Sequence, residues 1–130
     1  MSKIEVGKKA PKFTLDGTGG SWSLDDAEGG GVVLYFYPRD NTPGCTQEGV
    51  SFAAAYREFR KHKTSIYGIS GDSLAAHEKF KTKMAWPFDL LSDPTQKVCK
   101  LYDVIREKSM YGKKFIGIER STFQIGRAHV

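Results

Sequence analysis

Cysteine is scarce in this sequence: there are two residues in 130, Cys45 and Cys99, set 54 positions apart. A disulfide-stapled scaffold needs more of them, and a structural zinc site needs about four clustered ligands. Histidine is nearly as rare, with His62, His77 and His129 placed where a surface position is expected. Long hydrophobic runs are also missing. The longest, residues 32–37, falls far short of the about 20 apolar residues that span a bilayer. Residues 1–11 lack the apolar stretch of a secretory signal, so a cytoplasmic chain without membrane contact is expected. In such a reducing setting each thiol is either core filler or chemistry. Charge of one sign is not concentrated either. Twenty Lys and Arg against fifteen Asp and Glu give +5, but the bases are dispersed, which argues against a nucleic-acid partner and for solvated surface.

What remains is an ordinary globular composition, 39% hydrophobic and 27% charged, at a length suited to one domain. Residues 32–37 form a continuous apolar and β-branched run, the pattern of a central strand buried on both faces. From Thr42 the signals turn helical. Thr42 is a good N-cap, Pro43 suits the first helical position, and Phe52, Tyr56 and Phe59 recur at helical spacing toward an end near His62. A strand over 64–70 follows, then a helix capped by Asp72 or Ser73 whose Ala76, Phe80 and Met84 share a face, broken at Trp86-Pro87. A short strand over 88–91, a helix opening at Asp93-Pro94 and running through Leu101, and a strand over 120–124 complete the reading. Residues 13–15 and 22–24 read as a hairpin ahead of the rest. Strands alternating with helices imply an open α/β sheet covered by helices. Residues 126–130 neither continue the last strand nor supply a covering helix. The expectation is a single domain over 1–125, cut short at its C-terminus, followed by a non-native tail.

In such sheets the site forms where the carboxyl ends of strands feed helix N-termini. The run from Pro38 through Arg39, Asp40, Asn41, Thr42, Pro43 and Gly44 to Cys45 occupies that place. With Thr42 as N-cap, Cys45 is the third helical residue, close to unsatisfied amides and the positive end of the helix dipole. That setting stabilises a thiolate and lowers a thiol pKa from about 8.5 into the range ~3.5–7.5. A nucleophilic cysteine could serve a hydrolase, a disulfide oxidoreductase or a peroxidase. Hydrolysis pairs Cys with His, and the histidines are poorly placed for it. A thioredoxin-type motif would need a second cysteine at position 42 or 48, which hold Thr and Glu.

Pro38, Thr42 and Cys45 match the Pro-x-x-x-Thr-x-x-Cys signature of the peroxiredoxins. The segment from Phe36 to Glu48 closely resembles the bacterioferritin comigratory protein, or peroxiredoxin Q, branch. Residues 7–13, 68–72, 88–93 and 120–123 extend the resemblance over most of the chain. It implies a thioredoxin-like fold with an N-terminal hairpin extension and a peroxidase that needs no cofactor or metal. By the same resemblance Cys45 is the peroxidatic cysteine, attacking the terminal oxygen of a hydroperoxide and becoming sulfenic acid. Thr42 would supply a hydroxyl, Arg120 a cation for thiolate and peroxide, and Pro38 a shield against water. Nothing local distinguishes Arg120 from Arg106; Glu48, shared with the family pattern, could orient backbone or arginine, but has a plainer reading as a first-turn acid complementing the helix dipole.

One departure from the branch matters. Many members carry a resolving cysteine five positions after the first, where this chain has Val50, and others carry it on the following helix, where residues 81–86 contain none. Cys99 matches neither position and reads as buried filler. A one-cysteine cycle is therefore expected, with an external thiol, thioredoxin, glutaredoxin or glutathione, as reductant and the chain a monomer or weak homodimer. The alternative from another class is a redox-sensing thioredoxin-fold module, oxidised once at Cys45 without turnover.

Overall fold

The computed structural model describes residues 10–24, 31–40, 43–110 and 112–126; at 43–45, 108–110, 113–116 and 126 the description covers the backbone only. The chain runs β1 (Thr14–Gly17), β2 (Trp22–Ser23), β3 (Gly31–Phe36), α1 (Pro43–Ala54), α2 (Tyr56–Lys61), β4 (Ser65–Ser70), α3 (Leu74–Met84), β5 (Asp89–Ser92), α4 (Lys97–Leu101), β6 (Ile105–Met110), β7 (Lys113–Ile118) and β8 (Ser121–Gly126). Six strands form one sheet in the order β2-β1-β5-β4-β3-β8. Strands β3, β4 and β5 are parallel, while β8 runs antiparallel to β3 and β1 antiparallel to β5. This is the thioredoxin-like arrangement expected, with the β1–β2 hairpin added at one edge.

Because successive strand residues point to opposite faces, β3 divides its side chains between two cores. Val33, Tyr35 and Tyr37 join Ile66 and Leu90 beneath α1, α2 and α3, where Phe52, Tyr56, Phe59, Phe80 and Met84 cover them. The two crossovers β3→β4 and β4→β5 step in one direction across the sheet, and right-handed connections then place their helices on the same face. On the other face Val32, Leu34 and Phe36 meet Phe13, Val98, Cys99, Tyr102, Ile118 and Ile125. Trp86 locks the first core: its ring stacks on Phe88 at 5.3 Å and meets Phe80 edge-on at 4.7 Å. A Cβ on Gly49 would fall 2.1 Å from this ring, so α1 rests on Trp86 through a position that only glycine fits.

The structure differs from the sequence reading in four places, the first two for local reasons. The helix expected to run to about 62 is divided at Ala55, whose φ of −92° and ψ of 2° lie in the bridge region. Helical hydrogen bonds from Ala55 N to Ser51 O and from Phe59 N to Ala55 O still cross the break, so Phe52, Tyr56 and Phe59 keep one core face. The helix expected from Asp93 starts only at Lys97, because Asp93 and Gln96 close a turn first (Gln96 N to Asp93 O, 2.9 Å), with Gln96 in the left-handed region. The last strand reaches Gly126, which pairs with Gly31, rather than ending at 124. Residues 127–130 lie outside the described residues. Finally, β6 and β7 pair as an antiparallel ribbon that the sequence reading lacked.

Candidate active site

Strand β3 delivers the chain to the carboxyl edge of the sheet. Tyr37 continues the strand's pairing through N–H to Ile69 O at 3.1 Å; Pro38 then bends the chain into solvent, and Pro38 and Arg39 are exposed. Helix α1 opens at Pro43, so Cys45 is its third residue, in the turn whose amides have no intrahelical acceptor. Thr42, expected to cap this turn, lies outside the described residues, as does Asn41.

Arg120 enters from the far end of the chain, in the two-residue link between β7 and β8. It is exposed, yet it stands beside Glu48, which follows Cys45 by three residues on α1. Burial pushes the Glu48 carboxyl up from its ordinary value, and the Arg120 guanidinium and the Thr122 hydroxyl oppose that rise. One Glu48 oxygen is buried with no hydrogen-bond partner among the described residues. Glu48 thus links the helix that carries Cys45 to the strand end that carries Arg120, favouring the arginine-orienting part over the plainer dipole reading. Its spacing, one helical turn after the cysteine, was the available signal.

A second polar group lies behind the Pro38–Cys45 segment, at the carboxyl ends of β3, β4 and β5. His77 of α3, expected at the surface, is fully buried there, with Nδ1 2.6 Å from Asp40 Oδ2 and Nε2 3.0 Å from Leu91 O. Asp40 also accepts from the Tyr37 hydroxyl (2.6 Å), and its backbone N–H donates to Asp72 Oδ2 at 2.7 Å. Ser70 donates to the same Asp72 oxygen at 2.6 Å, and Ser92 to the Asp72 carbonyl at 2.6 Å. Asp40, Asp72 and His77 bring potential metal-ligand atoms within 4.8 Å of one another. Those atoms already serve as one another's and the loop's hydrogen-bond partners, so the cluster is accounted for as a structural anchor. In front of it opens a cleft of about 500 Å³ lined by Arg39, Asp40, Asp72, Ala76, Lys79, Phe80 and Lys83.

Cys99 has a different setting. It is a free thiol with no exposed surface, packed on the opposite face of the sheet from α1 and α3. Its N–H donates to Asp93 Oδ2 at 2.8 Å, and burial together with that carboxylate pushes the thiol far above its ordinary value. It is core, as expected of filler, and no thiolate forms there at neutral pH.

Among the described residues, no helix is long and apolar enough to cross a membrane.

Comparison with known proteins places this geometry. The AhpC/TSA family model matches residues 6–130. The putative peroxiredoxin bcp of Coxiella burnetii is 50% identical over 123 residues, covering 94% of this chain and 82% of that protein. The peroxiredoxin Bcp of Bacillus subtilis is 45% identical over 125 residues, covering 95% and 80%. Among solved structures, a mutant of Xylella fastidiosa PrxQ superposes with a TM-score of 0.92 at 39% identity, covering 99% of this chain and 83% of that one. The bacterioferritin comigratory protein of Xanthomonas campestris, described for its alkyl peroxide reduction activity, superposes at 0.86 with 40% identity over 99% of this chain and 83% of that one. With a lone cysteine in the first turn of α1 and relatives of this kind along nearly its whole length, the chain belongs to the AhpC/TSA family, in the Bcp or peroxiredoxin Q branch of thiol-dependent peroxidases.

Proposed function

We propose that the chain reduces hydrogen peroxide and organic hydroperoxides through Cys45 and is returned to the thiolate by an external thiol. The carrying observation is the position of Cys45 as third residue of α1 at the carboxyl end of β3, with Arg120 brought alongside that helix through Glu48. The Cys45 thiolate attacks the terminal peroxide oxygen; the S–O bond forms as the O–O bond breaks, and the departing oxygen takes a proton to leave as water or alcohol. Sulfur is oxidised by two electrons to sulfenic acid. Negative charge grows on the departing oxygen, so the amides of the first helical turn, the Thr42 hydroxyl and the Arg120 guanidinium act as fixed donors for it. Pro38 turns the loop and limits water at its mouth.

The second half of the cycle needs a thiol from outside. Val50 is exposed where many branch members carry a resolving cysteine, and Cys99 is buried across the sheet with its proton held. A thiol of thioredoxin, glutaredoxin or glutathione attacks the sulfenic sulfur, releasing water and leaving a mixed disulfide. A second thiol then displaces Cys45 as thiolate. The reading places this activity in the cytoplasm, in a monomer or weak homodimer. A coupled peroxidase assay with hydrogen peroxide and an organic hydroperoxide, under two reductants, tests it: Cys45→Ser abolishes turnover with every pair. Equal turnover in that variant contradicts the reading.

A further inference from the structure

The buried group behind the active-site segment has a proton arrangement that can be read from its partners. Leu91 O is a backbone carbonyl and accepts only, so His77 Nε2 must carry a hydrogen. On the other side of the ring, Nδ1 and Asp40 Oδ2 are 2.6 Å apart. Two lone pairs at that separation repel, so a proton lies between them. The Tyr37 hydroxyl donates its own hydrogen to the other carboxylate oxygen, Asp40 Oδ1, and cannot provide the missing one. The ring is thus held at both nitrogens, by a short hydrogen bond to Asp40 on one side and by donation to Leu91 O on the other. The charged groups facing it from neighbouring elements are Asp72 after β4, Arg39 on the segment itself, and Lys79 and Lys83 on α3, which line the adjoining cleft.

The pair ties together elements distant in sequence. Asp40 lies midway along the segment joining β3 to α1, five residues before Cys45. Through its side chain the segment is fastened to α3 and, by way of the ring, to β5; through its N–H it is fastened to Asp72. The side chains are 0% and 7% exposed, so water has little access to these bonds. We propose that His77 is a positioning residue for peroxide reduction: by sharing a proton with Asp40 while donating to Leu91 O, it holds the Pro38–Cys45 segment, and with it the first turn of α1, in the reactive arrangement. This rests on the reading of Cys45 as the peroxidatic thiol.

His77→Leu leaves the ring's place filled and removes both hydrogen bonds; Asp40→Asn offers an amide that can donate to a neutral imidazole while still accepting from Tyr37. In folded protein well below the melting temperature, His77→Leu lowers kcat/KM for hydrogen peroxide by about 10–100-fold, the scale of a small misplacement of a reacting group. It also moves the pH midpoint of Cys45 alkylation upward. Asp40→Asn keeps a neutral hydrogen bond in the same place and loses no more than about fivefold. In the wild type, nitrogen-15 spectra of His77 show a proton on Nε2 and one bonded or shared at Nδ1. Hydrogen exchange at the Asp40 amide accelerates about tenfold or more in His77→Leu.

An unchanged peroxide rate constant and alkylation midpoint in folded His77→Leu would overturn the proposal, as would a loss of activity no greater than the unfolded fraction. So would a His77 ring with an unprotonated, unbonded Nδ1. Failure of the underlying reading looks different: the wild type then turns over no faster than Cys45→Ser. In that case the Asp40 amide decides the fastening by itself, and unaltered exchange in His77→Leu refutes it.

Discussion

Cys45 and Cys99 both occupy helical turns, one opening α1 and the other in the middle of α4, and the sheet lies between their surroundings. At the opening of α1, where Cys45 sits, the chain supplies backbone amides without intrahelical acceptors; one turn on, Arg120 stands beside Glu48, and Pro38 and Arg39 ahead of the helix are exposed. Around Cys99 it supplies aromatic and aliphatic side chains and a carboxylate that accepts from the helix. Amides and cations stabilise a thiolate, whereas low polarity and an adjacent negative charge penalise it. On the proposed function, then, the end of the helix and the face of the sheet decide reactivity, and residue type alone does not.

The sharpest way to break this contrast is to remove the cation on the Cys45 side. Arg120→Met is expected to cost about 10²–10³-fold in kcat/KM for peroxide, the scale of losing one fixed donor at a developing oxyanion. Steady-state kinetics with saturating reductant measure it, and a loss under threefold would place Arg120 outside the reaction. On the other face, Cys99→Ser puts a hydroxyl where a thiol packs. The Asp93 carboxylate can accept from it, so the expected cost is about 1 kcal/mol of stability by denaturant titration. Turnover with thioredoxin or glutathione stays unchanged; a collapse of turnover in folded Cys99→Ser would assign Cys99 the resolving role.

The smallest effect concerns Glu48. Its carboxyl is raised in the folded chain, so the folded state holds that proton more tightly than the unfolded one. Its contribution to stability is then present in acid and is lost as pH rises from the unfolded carboxylate value through the higher folded one. Glu48→Gln removes that step, flattening the acid side of the stability profile measured by chemical unfolding between pH 3 and about 7.

Much of this was legible in local pattern. The apolar run that became β3, Pro43 at the opening of α1, Ser73 capping α3 through Ala76 N, and Phe80 facing the core follow from spacing and capping chemistry. The candidate site's location at the end of β3 was an expectation from topology. What stayed hidden depends on partners far along the chain. His77 precedes Phe80 by three residues and so shares its buried face, but Asp40 and Leu91, 37 and 14 residues away, make burial of a histidine tolerable. Asp93 reads as a helix cap, yet its carboxylate reaches six residues on to Cys99 N, and a turn precedes the helix. The β6–β7 ribbon carries Arg, Glu and Lys among its apolar residues and pairs outside the main sheet, which blurs the alternation. Gly112, at φ 77° between paired Met110 and Lys113, was its one strong turn signal.

The claim that the two thiols differ in kind is tested most directly by trapping the oxidised sulfur. Native protein is exposed to one equivalent of hydrogen peroxide in the presence of dimedone, and the modified peptides are identified by mass spectrometry. The account predicts a dimedone adduct on the peptide containing Cys45 and an unmodified Cys99. An adduct on Cys99, or an unreacted Cys45 after the peroxide has been consumed, would contradict it.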